Sequence, residues 1–284
     1  MSLALNKDEL AEALGQFFVV GIQGETLDKN EQKLLEEIQP GGVILFKRNY
    51  SSLRQIWDLN TQLHSILKKI SYQQLSPWIC VDQEGGRVQR LGDPFTQFPP
   101  LKKLGEKDSP KLCFEMAAAQ GKELKSVGFN VNFSPVVDVP DSFEAPALGD
   151  RILSLDKEKV AQFASAMMRG FLKSEIIGVA KHFPGHGKAN VDSHLELPEC
   201  DASLEELRDL DLVPFRKVIR SKAAGIMSAH ISFPKIDREF ASSLSQKIIQ
   251  NLLRNELRYN GLLFSDDMET VSYTHLTLPT SPQV

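Results

Sequence analysis

Cysteine is scarce in this 284-residue chain, with three residues, Cys80, Cys113 and Cys200, lying far apart. Their odd number and wide spacing exclude a disulfide framework and a thiolate metal cluster, and they suit a reducing compartment. A basic excess is missing too. The formal charge of −4, from 33 Lys and Arg against 37 Asp and Glu, argues against nucleic acid or an anionic membrane as partner, because both reward a positive face. No apolar run approaches the length of a bilayer span, and the start, Met1-Ser2-Leu3-Ala4-Leu5-Asn6-Lys7-Asp8, turns charged too soon for a secretion signal. There is no phosphate-cradling glycine loop and no Ser/Gly-rich linker. These absences leave a cytoplasmic globular protein, expected as a monomer, with 42% hydrophobic residues to fill a sizeable core.

What is present is a regular alternation. Short apolar runs at Phe17–Gly24, Gly42–Phe46, Trp78–Val81, Val131–Val137, Gly178–Ala180, Gly225–Ser228 and Leu262–Phe264 read as strands buried on both faces of a parallel sheet. Between them, amphipathic patterns predict helices over Glu31–Ile38, Leu53–Lys69, Pro110–Val127, Lys157–Lys173, Leu204–Ser221 and Ser245–Arg258. Asp156 is placed to cap one of these, and Ser203 with Glu206 forms a capping box for another. An open doubly wound sheet and a (β/α)8 barrel both fit this order. Polar clusters follow many different strands: Lys47-Arg48-Asn49, Asp82-Gln83-Glu84, Asp138, the segment after Ala180, His230, and Asp266-Asp267. A barrel gathers such ends around one mouth, so the expected fold is an α/β, TIM-type (β/α)8 barrel lacking its eighth βα unit. Residues 1–270 form one domain in this reading. The stretch 271–284 has neither helical periodicity nor a cap; it resembles a translated adapter read-through and is set aside as an unrelated, artefactual tail. A barrel left unclosed would expose two strand edges, so poor stability and weak activity are expected.

The densest chemistry is Lys181-His182-Phe183-Pro184-Gly185-His186-Gly187 with Asp192-Ser193-His194 close behind. Ionisable groups at the end of a buried strand cost desolvation unless they are paired or used. Asp192 and His194, two apart, share one side of an extended segment, and a carboxylate beside an imidazole makes a proton donor suited to neutral pH. His182 and His186 have the spacing of a zinc-binding helix, but Pro184 and Gly185 between them oppose a helix. In Phe264-Ser265-Asp266-Asp267, adjacent carboxylates point to opposite sides, so one faces the mouth while the other caps the next helix. In Asp82-Gln83-Glu84-Gly85-Gly86-Arg87-Val88-Gln89-Arg90, the glycines would let backbone approach a ligand, and Asp with Arg suits vicinal hydroxyls.

Taken together, these motifs resemble glycoside hydrolase family 3, and within it the single-domain β-N-acetylhexosaminidases. Asn132-Phe133-Ser134-Pro135-Val136-Val137-Asp138-Val139 and Gly42-Val43-Ile44-Leu45-Phe46 add to the likeness, which runs from about residue 15 to 269. The resemblance implies a retaining, exo-acting β-N-acetylglucosaminidase that needs no cofactor or metal and acts on a small carbohydrate such as a cell-wall fragment. It further implies Asp266 as nucleophile, His194 as general acid/base and Asp192 as its carboxylate partner. Asp82, Arg90, Arg151, Lys181 and His182 would hold the sugar. A histidine acid/base departs from the usual pair of carboxylates but is chemically workable near neutral pH. The chain departs from the family at Ile152-Leu153, where Ser and an aromatic are usual. Two other readings stay open: a metal-dependent barrel hydrolase using His182, His186 and His194, and a non-catalytic sugar-binding remnant.

Overall fold

Asp28, Ser52, Ser109, Asp156 and Ser203 each stand immediately before a helix, and each side chain accepts hydrogen bonds from first-turn amides. Such caps satisfy donors that a helix start would otherwise leave open, and they fix where these helices begin. The computed structural model describes residues 13–145, 148–187 and 197–269. In chain order these form β1 (Val19–Gly21), α1 (Lys29–Ile38), β2 (Gly42–Leu45), α2 (Leu53–Ile70) and β3 (Trp78–Val81). A hairpin of β4 (Gln83–Gly85) and β5 (Val88–Gln89) follows, then α3 (Leu101–Gly105), α4 (Pro110–Ser126), β6 (Val131–Asn132), α5 (Lys157–Lys173) and β7 (Ile177–Phe183). The remainder comprises α6 (Leu204–Asp209), α7 (Leu212–Arg220), β8 (Gly225–Ser228), a π-type helix (Lys247–Glu256) and β9 (Leu262–Ser265).

Three departures from the sequence pattern have local causes. The helix expected over Leu204–Ser221 is broken at Leu210. Pro214 has no N–H to give the Leu210 carbonyl and its ring would clash there, so a continuous helix is impossible. The strand expected over Val131–Val137 shrinks to two residues, because Pro135 offers no ladder donor. Beyond Pro135 the segment still reaches β7, where the Val137 amide donates to the Lys181 carbonyl. The β4–β5 hairpin and α3 carry no strong periodic signal and were not expected.

The seven long-range strands pair in the order β1-β2-β3-β6-β7-β8-β9, all parallel. Side chains from their inner face form a core of their own: Cys80, Val131, Phe133, Val179, Met227 and Phe264, with Val19, Ile44, Trp78, Ile177 and Leu262 against it. The alternate residues, among them Val43, Leu45, Ile79, Val81, Ala180 and Ile226, belong to a larger core shared with the helices. The rings of Trp78 on β3 and Phe264 on β9 meet edge to face with centroids 5.4 Å apart. Four steps along a flat sheet would separate those strands by about 19 Å. The sheet is therefore curled, and the barrel rather than the open sheet is the architecture. Each such ring pair adds about 0.5–1.5 kcal/mol beyond its buried area, and Phe133 makes a second one with Phe264. No pairing joins β9 to β1 among the described residues, as expected for a barrel short of one unit. No helix among them is long and apolar enough to cross a membrane.

Candidate active site at the mouth of the barrel

The two-residue period of the strands delivers three of the expected site residues. Trp78 and Cys80 face inward, so Asp82 is the next inward position beyond β3. Ile177 and Val179 put Lys181 on the same side of β7, and Leu262 and Phe264 do so for Asp266 just past β9. Asp267 then points away, and its Oδ1 accepts from the Glu269 amide; the helix it was expected to cap lies outside the described residues. His182 breaks the alternation. The pairing of β7 with β8 slips between Lys181 and Phe183, a bulge that turns both Lys181 and His182 toward the mouth.

These side chains join into one ionic array. Lys181 Nζ donates to Asp82 Oδ1 at 2.9 Å and pairs with Glu84 Oε1 at 2.8 Å. Arg151 grips both Glu84 oxygens, at 2.9 and 2.8 Å, and Arg90 reaches Asp82 Oδ2 at 3.4 Å. His182 stands between two carboxylates: Nδ1 is 2.8 Å from Asp138 Oδ2, and Nε2 is 4.0 Å from Asp266 Oδ2. The Asp266 backbone is held from two directions, its amide donating to the Ser228 carbonyl and its carbonyl lying 3.1 Å from His230 Nε2. Since a carbonyl only accepts, His230 Nε2 carries the proton and donates to it.

Electrostatics follow from this geometry. Burial pushes the Asp266 carboxyl up, but His182, Lys181, the Asp267 amide and His230 outweigh it and hold the group below its ordinary value. Burial likewise opposes ionisation of Glu84 and Asp138. Arg151 and Lys181 pull the first far down, and His182 and His186 lower the second. Burial would depress Lys181, yet Asp82 and Glu84 raise it. For His186, burial and the neighbouring His182 both act downward, keeping the ring neutral to lower pH.

Of the expected site residues, the structure brings together Asp82, Arg90, Arg151, Lys181, His182 and Asp266. Asp192 and His194 lie outside the described residues, as does the tail 271–284. His182 and His186 stack edge to face, 5.7 Å between centroids; the third histidine of the metal reading, His194, is among those not described. No group of three His, Cys, Asp or Glu placed to hold a metal occurs among the described residues. The glycine pair is required by the protein's own packing. A Cβ on Gly85 would lie 2.5 Å from the Pro99 carbonyl oxygen, and one on Gly86 would lie 2.6 Å from Pro100, both at positive φ. Arg87 braces the turn before Arg151 through Asp150 and the Leu148 carbonyl.

Sequence reading missed three residues here. Glu84 is 1% exposed and clamps two cations. Asp138 and His230 orient their neighbours. Both stand at strand ends but off the inward parity set by Phe133 and Met227, so their place at a strand end was the available signal and side-chain alternation was not.

A curled parallel barrel with an ionised carboxylate facing a cation-lined mouth defines a class: α/β-barrel enzymes acting on a polar small substrate. Comparison with known proteins narrows it. Residues 9–280 match the glycosyl hydrolase family 3 N-terminal domain, and the chain belongs to that family of glycoside hydrolases. A beta-hexosaminidase of Nitrosomonas eutropha is 39% identical over 258 residues, covering 88% of this chain and 71% of the relative. The family 3 beta-N-acetylglucosaminidase from Paenibacillus sp. superposes with a TM-score of 0.90 at 34% identity, over 96% of this chain. This chain spans about half of that protein, 51%. NagZ from Neisseria gonorrhoeae, solved in complex with N-trifluoroacetyl-D-glucosamine, gives a TM-score of 0.81 at 32% identity, covering 89% of this chain and 74% of that one.

Proposed function

We propose that this protein hydrolyses terminal β-linked N-acetylglucosamine from small oligosaccharides, with retention of anomeric configuration through a covalent glycosyl-enzyme. The observation that carries the reading is the Asp266 carboxylate: inward-facing, ionised and held by its backbone opposite His182. A carboxylate kept below its ordinary pKa is the form that can attack an anomeric carbon. His194, with Asp192 beside it in sequence, protonates the leaving oxygen and then deprotonates water. Asp82, Arg90, Arg151, Lys181 and His182 bind the hydroxyls and N-acetyl group of the sugar. Lys181 gives two of its three donors to Asp82 and Glu84 among the described residues, which leaves a fixed cation with one donor for substrate. The names of the relatives support N-acetylglucosamine as the sugar. Cell-wall fragments ending in it, met in the cytoplasm by a monomeric enzyme, are the substrate class we favour.

The test compares a chromogenic β-N-acetylglucosaminide with the matching β-glucoside, on the full chain and on Asp266→Ala. The wild type should prefer the N-acetyl sugar and release the β-anomer first. The variant should lose on the order of 10³-fold or more in kcat, with added azide restoring turnover as the α-azide. Cleavage that survives the substitution removes Asp266 as nucleophile. Loss of wild-type activity to a chelator would instead favour the metal reading of His182, His186 and His194.

A further inference from the structure

Asp138 lies beyond β6 with its side chain fully enclosed, 0% exposed, and it is spent on neighbours alone. Its Oδ1 accepts the backbone amides of His186, at 2.7 Å, and His182, at 3.3 Å, while Oδ2 faces His182 Nδ1 at 2.8 Å. An ionised carboxylate can only accept, so His182 must carry a proton on Nδ1. In the neutral ring the lone pair then falls on Nε2, the nitrogen 4.0 Å from Asp266 Oδ2. That distance is too long for a hydrogen bond.

We propose that Asp138 is a positioning residue that fixes the tautomer of His182, so that Nε2 accepts from a sugar hydroxyl and does not donate to Asp266. The kinetic part of this inference rests on the glycosidase reading above; the tautomer part does not. The other tautomer would put the proton on Nε2 and take away the acceptor that faces the sugar hydroxyl. The Asp138 carboxylate also ties the imidazole to the backbone at His186, so ring and main chain are set by one group.

The decisive variant is Asp138→Asn in the full chain. Its amide oxygen can still accept from the two backbone amides, but its NH₂ faces His182 Nδ1 and forces the proton to Nε2. Long-range ¹H–¹⁵N spectra, with the His182 ring assigned by its loss in His182→Ala, should show Nδ1 protonated in the wild type and Nε2–H in Asp138→Asn. A wild-type ring protonated on Nε2, whether alone or together with Nδ1 at neutral pH, or a ring unchanged in the folded variant, overturns the proposal; the wild-type spectrum decides even if the variant does not fold. Kinetically, Asp138→Asn should lower kcat/KM by on the order of 10–100-fold. The loss should be equal for activated and poor leaving groups, unlike that of His194→Ala. A loss that grows with leaving-group pKa overturns it. Should the wild type cleave no β-N-acetylglucosaminide at all, the glycosidase reading fails, and the spectra still settle the role of Asp138.

Discussion

Glu84 shows what one buried charge does at the scale of a residue. Its carboxylate is almost fully enclosed and holds Arg151 and Lys181 at once, and each cation is itself 15% exposed or less. Attraction inside such a cluster roughly offsets the cost of drying it, so the array adds little net stability. Removing one member is another matter, because the remaining charges stay buried without compensation. Glu84→Ala should therefore destabilise the protein by about 3–5 kcal/mol, read as a lower urea midpoint. Glu84→Gln keeps the shape and one acceptor and should cost less. Both variants should raise KM for the sugar more than they lower kcat, since the loosened Lys181 and Arg151 bind substrate and do not attack it. An unchanged urea midpoint in Glu84→Ala would show that the cluster is solvated and that the clamp does not matter. The same reasoning sets Arg90 apart. Its one ion pair among the described residues is with Asp82, at 3.4 Å; its guanidinium lies 5.9 Å from the Phe46 ring centroid, and its buried Nε has no hydrogen-bond partner among those residues.

At the scale of an element, β7 carries the densest chemistry and the least regular backbone. Its bulge between Lys181 and Phe183 is followed by Gly185 at φ +142°, where an added Cβ would sit 2.5 Å from Asp211 Oδ1. Only glycine accepts both that φ and that approach. Gly185→Ala should thus cost about 1–3 kcal/mol from backbone strain and a similar amount from overpacking, seen as a fall in the urea midpoint. A variant as stable as the wild type would mean that Asp211 yields at no cost. Elements of this kind mark where the sequence was legible and where it was not. Apolar runs and caps give the strands, the helices and the inward parity of Asp82, Lys181 and Asp266, because a period of two and a Ser or Asp cap are written locally. The bulge that turns His182 inward, the glycine turn packed on Pro99 and Pro100, and the Glu84 clamp depend on partners distant in sequence. Glu84 and Arg151, for example, are 67 residues apart. Pro214 was legible in principle. Its missing N–H at the Leu210 carbonyl forbids the single helix that periodicity alone suggested.

Across the whole molecule, the charge buried at the mouth makes stability depend on pH with a definite sign. Glu84, Asp138 and Asp266 are all held below their ordinary carboxylate values in the fold. Between the folded and unfolded values the unfolded chain binds more protons, so stability rises with pH through that window. The stabilisation is complete above about pH 4, the unfolded carboxylate range, and is lost as the pH falls toward the folded values. His186 has the same sign through different chemistry. Its ring is kept neutral by burial and by His182, so protonation favours the unfolded chain once the pH drops below about 6.5. Lys181 works at the other end. Raised by Asp82 and Glu84 against its burial, it stabilises the fold below about pH 10.4 and loses that effect as the pH climbs through its folded value. Urea midpoints measured from pH 3 to 9 should accordingly be flat near neutrality, decline below about 6.5 and fall more steeply below about 4. Asp138→Asn should flatten the lower part of that fall, because it removes one of the carboxylates that must be protonated. Midpoints that rise on acidification, or an Asp138→Asn profile parallel to that of the wild type, would mean that the mouth does not carry its charges ionised, and the nucleophilic reading of Asp266 would lose its electrostatic basis.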